Sequence, residues 1–113
     1  MDIRYLDKNF AIAPQITPDA LRGLRDAGLA TIICNRPDGE GGDQPSFADI
    51  ALQAAQYGIE AHYLPVVPGK ITQQDAEAFA AIIADAPKPV LAYCRTGLRA
   101  QTLWQMSAAL REG

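Results

Sequence analysis

Basic charge is scarce in this sequence. Ten Lys and Arg stand against thirteen Asp and Glu, a net charge of −3 with a pI near 4.9. No lysine-rich or arginine-rich block occurs, so no nucleic-acid partner is expected and any anion site must be local. Long apolar runs are missing too. None approaches the ~20 residues of a membrane span, and Met1–Lys8 carries charge where a signal peptide needs an apolar core. A cytoplasmic protein with no membrane partner is therefore expected. Cysteine is limited to Cys34 and Cys94, and histidine to His62. Two distant cysteines make neither a disulfide framework nor a metal spacing, so no metal or cofactor is expected. What the chain does have is apolar content, 49% over 113 residues. That is enough for one core and one domain over residues 1–113.

Residues 3–13 hold two short apolar pieces around Asp7-Lys8-Asn9, which suits a hairpin or two edge strands. Thr17-Pro18 starts a helix expected to run to about Ala27, where Gly28 ends it. Ala30–Cys34 is an apolar, β-branched run of the kind found in buried parallel strands. A long loop over residues 35–45 follows, then a helix opened by Ser46 with Asp49 and closed by Gly58. Ile59–Val66 reads as a strand limited by Pro65. Thr72 with Asp75 opens a further helix to Pro87. Pro89–Tyr93 is the strand that delivers Cys94, and a last helix is expected from about Ala100 to Leu110, with Leu103, Met106 or Ser107, and Leu110 on its core face. The alternation predicts an α/β domain with a central, mainly parallel sheet of four to five strands flanked by helices. Ligands in such sheets bind beyond the carboxyl ends of the strands.

The chemistry concentrates in Cys94-Arg95-Thr96-Gly97-Leu98-Arg99. A strand ends on a cysteine, a glycine turn returns an arginine, and a helix begins. The amides of Arg95 to Arg99 are expected to line an anion cradle, because helix N-termini leave donors unpaired. Arg95 and Arg99 add charge that favours a thiolate. Such a thiolate can attack a phosphate ester or accept sulfane sulfur as a persulfide. Four residues separate Cys94 from Arg99, one fewer than in the Cys-x5-Arg of cysteine phosphatases and equal to the six-residue loop of rhodanese-type sulfurtransferases. Expulsion of an alkoxide also needs a proton donor, and the position after Tyr63-Leu64-Pro65, where dual-specificity phosphatases carry an aspartate, reads Val66-Val67-Pro68-Gly69. Asp38 in the long loop is the substitute. Sulfur transfer is thus the first expectation, with a persulfide or thiosulfate donor and a thiol acceptor. A phosphatase using Asp38 is the second, and a non-catalytic anion-binding module the third. Cys34 reads as a core thiol and His62 as a structural or surface residue.

Four blocks in order, Asp7–Phe10, Asn35–Glu40, Pro65–Thr72 and Ala92–Arg99, resemble the domain of unknown function 442, the phosphatase-like domain of β-lactamase hydrolase-like proteins. The resemblance implies a dual-specificity-phosphatase-like fold and an activity labelled either phosphatase or sulfurtransferase. It also implies a possible partner, the metallo-β-lactamase-like domain to which relatives are fused and which resembles persulfide dioxygenases. By position, it makes Cys94 the nucleophile and Arg99 the anion-binding arginine, with Asn35, Arg36 and Asp38 facing the cradle from the second loop. The departures are Tyr93, where a histidine usually precedes the cysteine, and the shortened loop.

Overall fold

The computed structural model describes residues 2–112. Five strands form one sheet: β1 (Arg4–Asp7), β2 (Phe10–Ala13), β3 (Thr31–Cys34), β4 (Glu60–Tyr63) and β5 (Val90–Tyr93). Their order is β1-β2-β5-β3-β4, with β1 antiparallel to β2 and every other pairing parallel. The expected hairpin at the start is present, but only β1 is an edge; β2 lies inside the sheet, every one of its residues buried. All the parallel strands end on the same side, so the segments after Ala13, Cys34, Tyr63 and Tyr93 meet there.

Period-two alternation sends each strand's side chains to two faces. Ala11, Ile32, Leu91 and Tyr93 pack with Leu21 and Leu24 of α1 (Leu21–Asp26) and with Ile50 and Ala54 of α2 (Phe47–Gln56). Phe10, Ile12, Ile33 and Ala92 pack with Phe79 and Ile83 of α3 (Gln73–Asp85) and with Ala100 and Leu103 of α4 (Leu98–Met106). The central strand β5 contributes to both cores, which makes the Cys94 turn an extension of the most buried part of the molecule.

Local signals explain the helix ends. Ser46 accepts the Asp49 amide at α2, and Thr72 and Asp75 form a complete capping box at α3. The segment after Thr17 differs from expectation: it opens as a 3-10 turn (Pro18–Ala20), and Thr17 makes no cap, because its hydroxyl bonds the Asp19 carboxylate instead. The last helix also differs. It starts two residues early, at Leu98, since Gly97 takes a left-handed conformation (φ 95°) that opens it. It breaks at Ser107, and the chain continues as α5 (Ala108–Glu112). Of the positions expected on its core face, Leu103 and Ser107 are buried, whereas Leu110 is 42% exposed.

Candidate active site

Cys94 follows β5 directly and is fully buried. Its Sγ accepts the Gly97 amide at 3.1 Å, the one turn amide found on the sulfur. The turn can close this tightly because Gly97 is left-handed, and a Cβ there would sit 3.4 Å from the Ala13 carbonyl oxygen. Of the other turn amides, the Leu98 N–H goes to the Thr96 hydroxyl at 3.3 Å. Arg95, Thr96 and Leu98 have exposed side chains, whereas Gly97 and Arg99 are buried.

Arg99 reaches across from the first turn of α4 to the long loop. Its Nη1 and Nη2 each donate to the Glu40 carboxylate at 2.8 Å, and Nη1 also donates to the Val66 carbonyl at 3.0 Å. These Glu40 bonds, more than any other contact, raise the Arg99 pKa, with the neighbouring Cys94 adding to the effect. Arg36 approaches Glu40 from the other side, its Nε at 2.9 Å from Oε1, while its Nη1 donates to Gln15 at 3.1 Å. Held by Arg99 first and Arg36 next, against an opposing cost of burial, the Glu40 carboxyl is pulled down to about 2. Arg36, Glu40, Arg95, Pro68 and Arg99 line an open cavity of about 600 Å³.

The other loop residues have different tasks. Asp38 does not line that cavity. Its Oδ1 accepts the Phe47 amide at 2.8 Å and its own N–H donates to the Tyr63 hydroxyl at 2.9 Å, so it closes the loop onto α2 and β4. Asn35 is buried and its side-chain amide donates to the Leu64 carbonyl at 2.9 Å, which ties the end of β3 to the segment after β4. Cys34 pairs in register with Tyr93, and both belong to the α1–α2 core. Burial pushes the thiol of Cys34 and the phenol of Tyr93 upward; their contact raises Tyr93 further and partly offsets the rise at Cys34. His62 pairs with Glu60 at 2.7 Å on the edge strand. Among the described residues, no group of three His, Cys, Asp or Glu is arranged to hold a metal ion, and no helix is long and apolar enough to cross a membrane.

Glu40 is the residue that sequence reasoning missed. It stands at the end of the Asn35–Glu40 block, four residues after Arg36, a spacing at which opposite charges pair. Its contact with Arg99 spans 59 positions and depends on how the loop curls back.

A buried cysteine at the end of a central parallel strand, followed by a glycine turn and an arginine at a helix start, makes this an α/β domain built around a cysteine–arginine site. The chain belongs to the family described as the beta-lactamase hydrolase-like protein, phosphatase-like domain, which it matches over residues 2–111. It is 32% identical over 110 residues to a beta-lactamase hydrolase-like protein of Xylella fastidiosa and 34% identical over 105 residues to one of Agrobacterium fabrum. These alignments cover 97% and 93% of this chain but only 26% and 24% of the relatives, so the chain spans about a quarter of their length. Among solved structures, a candidate phosphatase of Neisseria meningitidis is 44% identical, with a TM-score of 0.87 over 92% of this chain and 74% of its own. The TpbA protein of P. aeruginosa, solved with phosphotyrosine, shares the fold alone, at 11% identity and a TM-score of 0.71 over 95% of this chain and 64% of its own.

Proposed function

We propose that the domain is a cysteine-dependent, phosphatase-type enzyme in which Cys94 attacks an oxyanion and holds the transferred group covalently. The observation that carries this reading is the Cys94 sulfur, set on the Gly97 amide at 3.1 Å with the Arg99 guanidinium beside it. The family description and the candidate phosphatase at 44% identity support the same class. The thiolate forms a bond to phosphorus, the ester P–O bond breaks, and the leaving oxygen departs with the electron pair. Water then cleaves the phosphocysteine to phosphate and free thiolate. Arg99 and the Gly97 amide offset the negative charge in both steps.

The leaving group is constrained by the carboxylates. Asp38 is committed to the Phe47 amide, and Glu40, held at about 2, carries no proton at neutral pH. Esters whose oxygen leaves without protonation, such as aryl phosphates, are therefore the favoured substrates. The same absence favours a second reading, together with the four-residue spacing between Cys94 and Arg99. Here the thiolate attacks the outer sulfur of thiosulfate or a persulfide, the S–S bond breaks, and sulfite or a thiolate leaves without needing an acid. Cys94 is left as a persulfide for a thiol acceptor. A metallo-β-lactamase-like persulfide-handling partner and a cytoplasmic setting belong with this second reading.

One preparation offered p-nitrophenyl phosphate and, in parallel, thiosulfate separates them. The phosphatase reading expects turnover of the aryl ester that vanishes in Cys94→Ser. Intact mass would then reveal a phosphoryl adduct in the wild type alone. An adduct of one sulfur atom without ester turnover transfers the assignment to sulfur carriage. Absence of both adducts sinks covalent catalysis and leaves an anion-binding module.

A further inference from the structure

Glu40 sits where a bound anion would sit. Its two oxygens take three N–H donors from two arginines at 2.8–2.9 Å, a fork-to-fork match to Arg99 completed by Arg36. Both arginine side chains are 9% exposed, so little else reaches them, while the Glu40 side chain is 26% exposed and borders the open cavity. We propose that Glu40 is a resident competitor for the oxyanion site, displaced when substrate binds, and that it restricts the site to doubly charged oxyanions. The proposal rests on Arg99 being the anion-binding group of the proposed reaction and adds which anions it accepts.

The argument is one of charge and tethering. The two buried guanidinium groups and the carboxylate they hold leave a charge of +1, with the third arginine of the cavity, Arg95, exposed at its rim where solvent screens it. A singly charged visitor that expels Glu40 restores the same +1 and must compete with a carboxylate whose tether gives it an effective concentration of about millimolar. A doubly charged visitor neutralises both arginines, an additional attraction that counts in a partly dehydrated site. Phosphate monoesters and thiosulfate are both dianions near neutral pH, so the filter serves either chemistry proposed above. The geometry gives Glu40 a way out. Gly39 turns at φ 78°, and Gly41 lies so close to Arg36 that a Cβ would stand 2.7 Å from its Nη2. The acid is thus carried on a narrow glycine-flanked tip rather than on a helix.

The test uses anion titrations of ¹⁵N-labelled protein at constant ionic strength, following the Gly97 amide and the Nε signals of Arg36 and Arg99. Sulfate and inorganic phosphate at pH 8 supply dianions, and nitrate and methanesulfonate supply monoanions. The wild type is expected to saturate with the dianions and to show no saturable response to the monoanions. Glu40→Gln and Glu40→Ala are expected to admit all four and to bind the dianions at least about tenfold tighter, as removal of one partly buried like charge implies. Equal response of the wild type to nitrate and sulfate would overturn the proposal. So would unchanged or weaker dianion binding in both variants, which would make Glu40 a strut that only positions the arginines. Because binding is read without turnover, the filter and the reaction fail separately. Dianion selectivity without any Cys94 adduct would count against the enzyme alone, and adduct formation with no Glu40 effect would count against the filter alone.

Discussion

At the residue scale, Glu40 links the site to stability. Its carboxyl is about 2 in the folded protein against an ordinary 4.5, so the pairing with Arg99 and Arg36 contributes stability that is fully present above about pH 4.5. The contribution is lost as pH falls from there through about 2, because the unfolded chain takes up the proton first. Urea unfolding midpoints of wild type and Glu40→Gln should therefore differ most above pH 5, draw together progressively below that, and converge only near pH 2. A constant gap across that range would refute the linkage. Cys94 and Arg99 were legible because they share a local motif whose chemistry does not depend on distant residues. Asp38 and Glu40 illustrate the opposite. Both are acids in one irregular loop, two positions apart, and only the path of that loop decides which faces the arginines and which caps the start of α2. Asn35 is placed by its surroundings too: at the buried end of β3 its side-chain N–H donates to the Leu64 carbonyl, while its Oδ1 has no partner among the described residues.

At the scale of elements, strand and helix identities followed from periodicity and capping residues, whereas boundaries moved where a side chain or glycine chose a different local partner. The start of α4 is the instructive case. Periodicity suggested Ala100, yet Gly97 adopts a left-handed conformation and lets the helix begin at Leu98, which brings the Gly97 amide onto Cys94 and places Arg99 in the first turn. An alanine at this position must enter a region costing ~1–2 kcal/mol for an L-residue, and its methyl would press on the Ala13 carbonyl. Gly97→Ala should lower stability by at least about 1–2 kcal/mol in a denaturant titration and reduce Cys94 adduct formation in the remaining folded protein. Wild-type stability and adduct yield together would show that the turn tolerates a side chain. The sheet order itself, with β5 inserted between β2 and β3, was not readable, because parallel strands far apart in sequence leave no local trace of who neighbours whom.

At the scale of the whole molecule, the two cores on either side of the sheet carry different burdens. The α3–α4 core is closed at the hairpin end by Phe10, which stacks on Trp104 at 4.1 Å and meets Phe79 edge-on at 5.8 Å. Phe10→Ala removes the member common to both pairs and should cost about 3–5 kcal/mol, read as a lower unfolding midpoint. The folded fraction should keep wild-type anion binding, since neither Phe10 nor its partners line the Arg99 cavity. A stability loss below 1 kcal/mol would mean that Trp104 and Phe79 close the gap themselves. The relatives of which this chain spans about a quarter carry further sequence, and in this domain every parallel strand ends on the side that carries Cys94.

The long loop is fastened at its base. Tyr63 holds the Asp38 amide through its hydroxyl and stacks its ring on Phe47 at 4.9 Å, while Asp38 holds the Phe47 amide. Gln44 fastens it again beside Glu40, accepting the Gly41 amide at 3.0 Å and donating to the Pro37 carbonyl at 2.9 Å, which leaves chiefly the Glu40 side chain to rearrange. Displacement of Glu40, as proposed, would then need side-chain rotation and a few backbone torsions, on the nanosecond-to-microsecond scale of loop motions rather than the millisecond scale of a closing lid. The encounter, driven by the site's arginines on an otherwise acidic molecule, would then be the step that conditions in solution can change. Its speed is set by diffusion through a local positive field that added salt weakens.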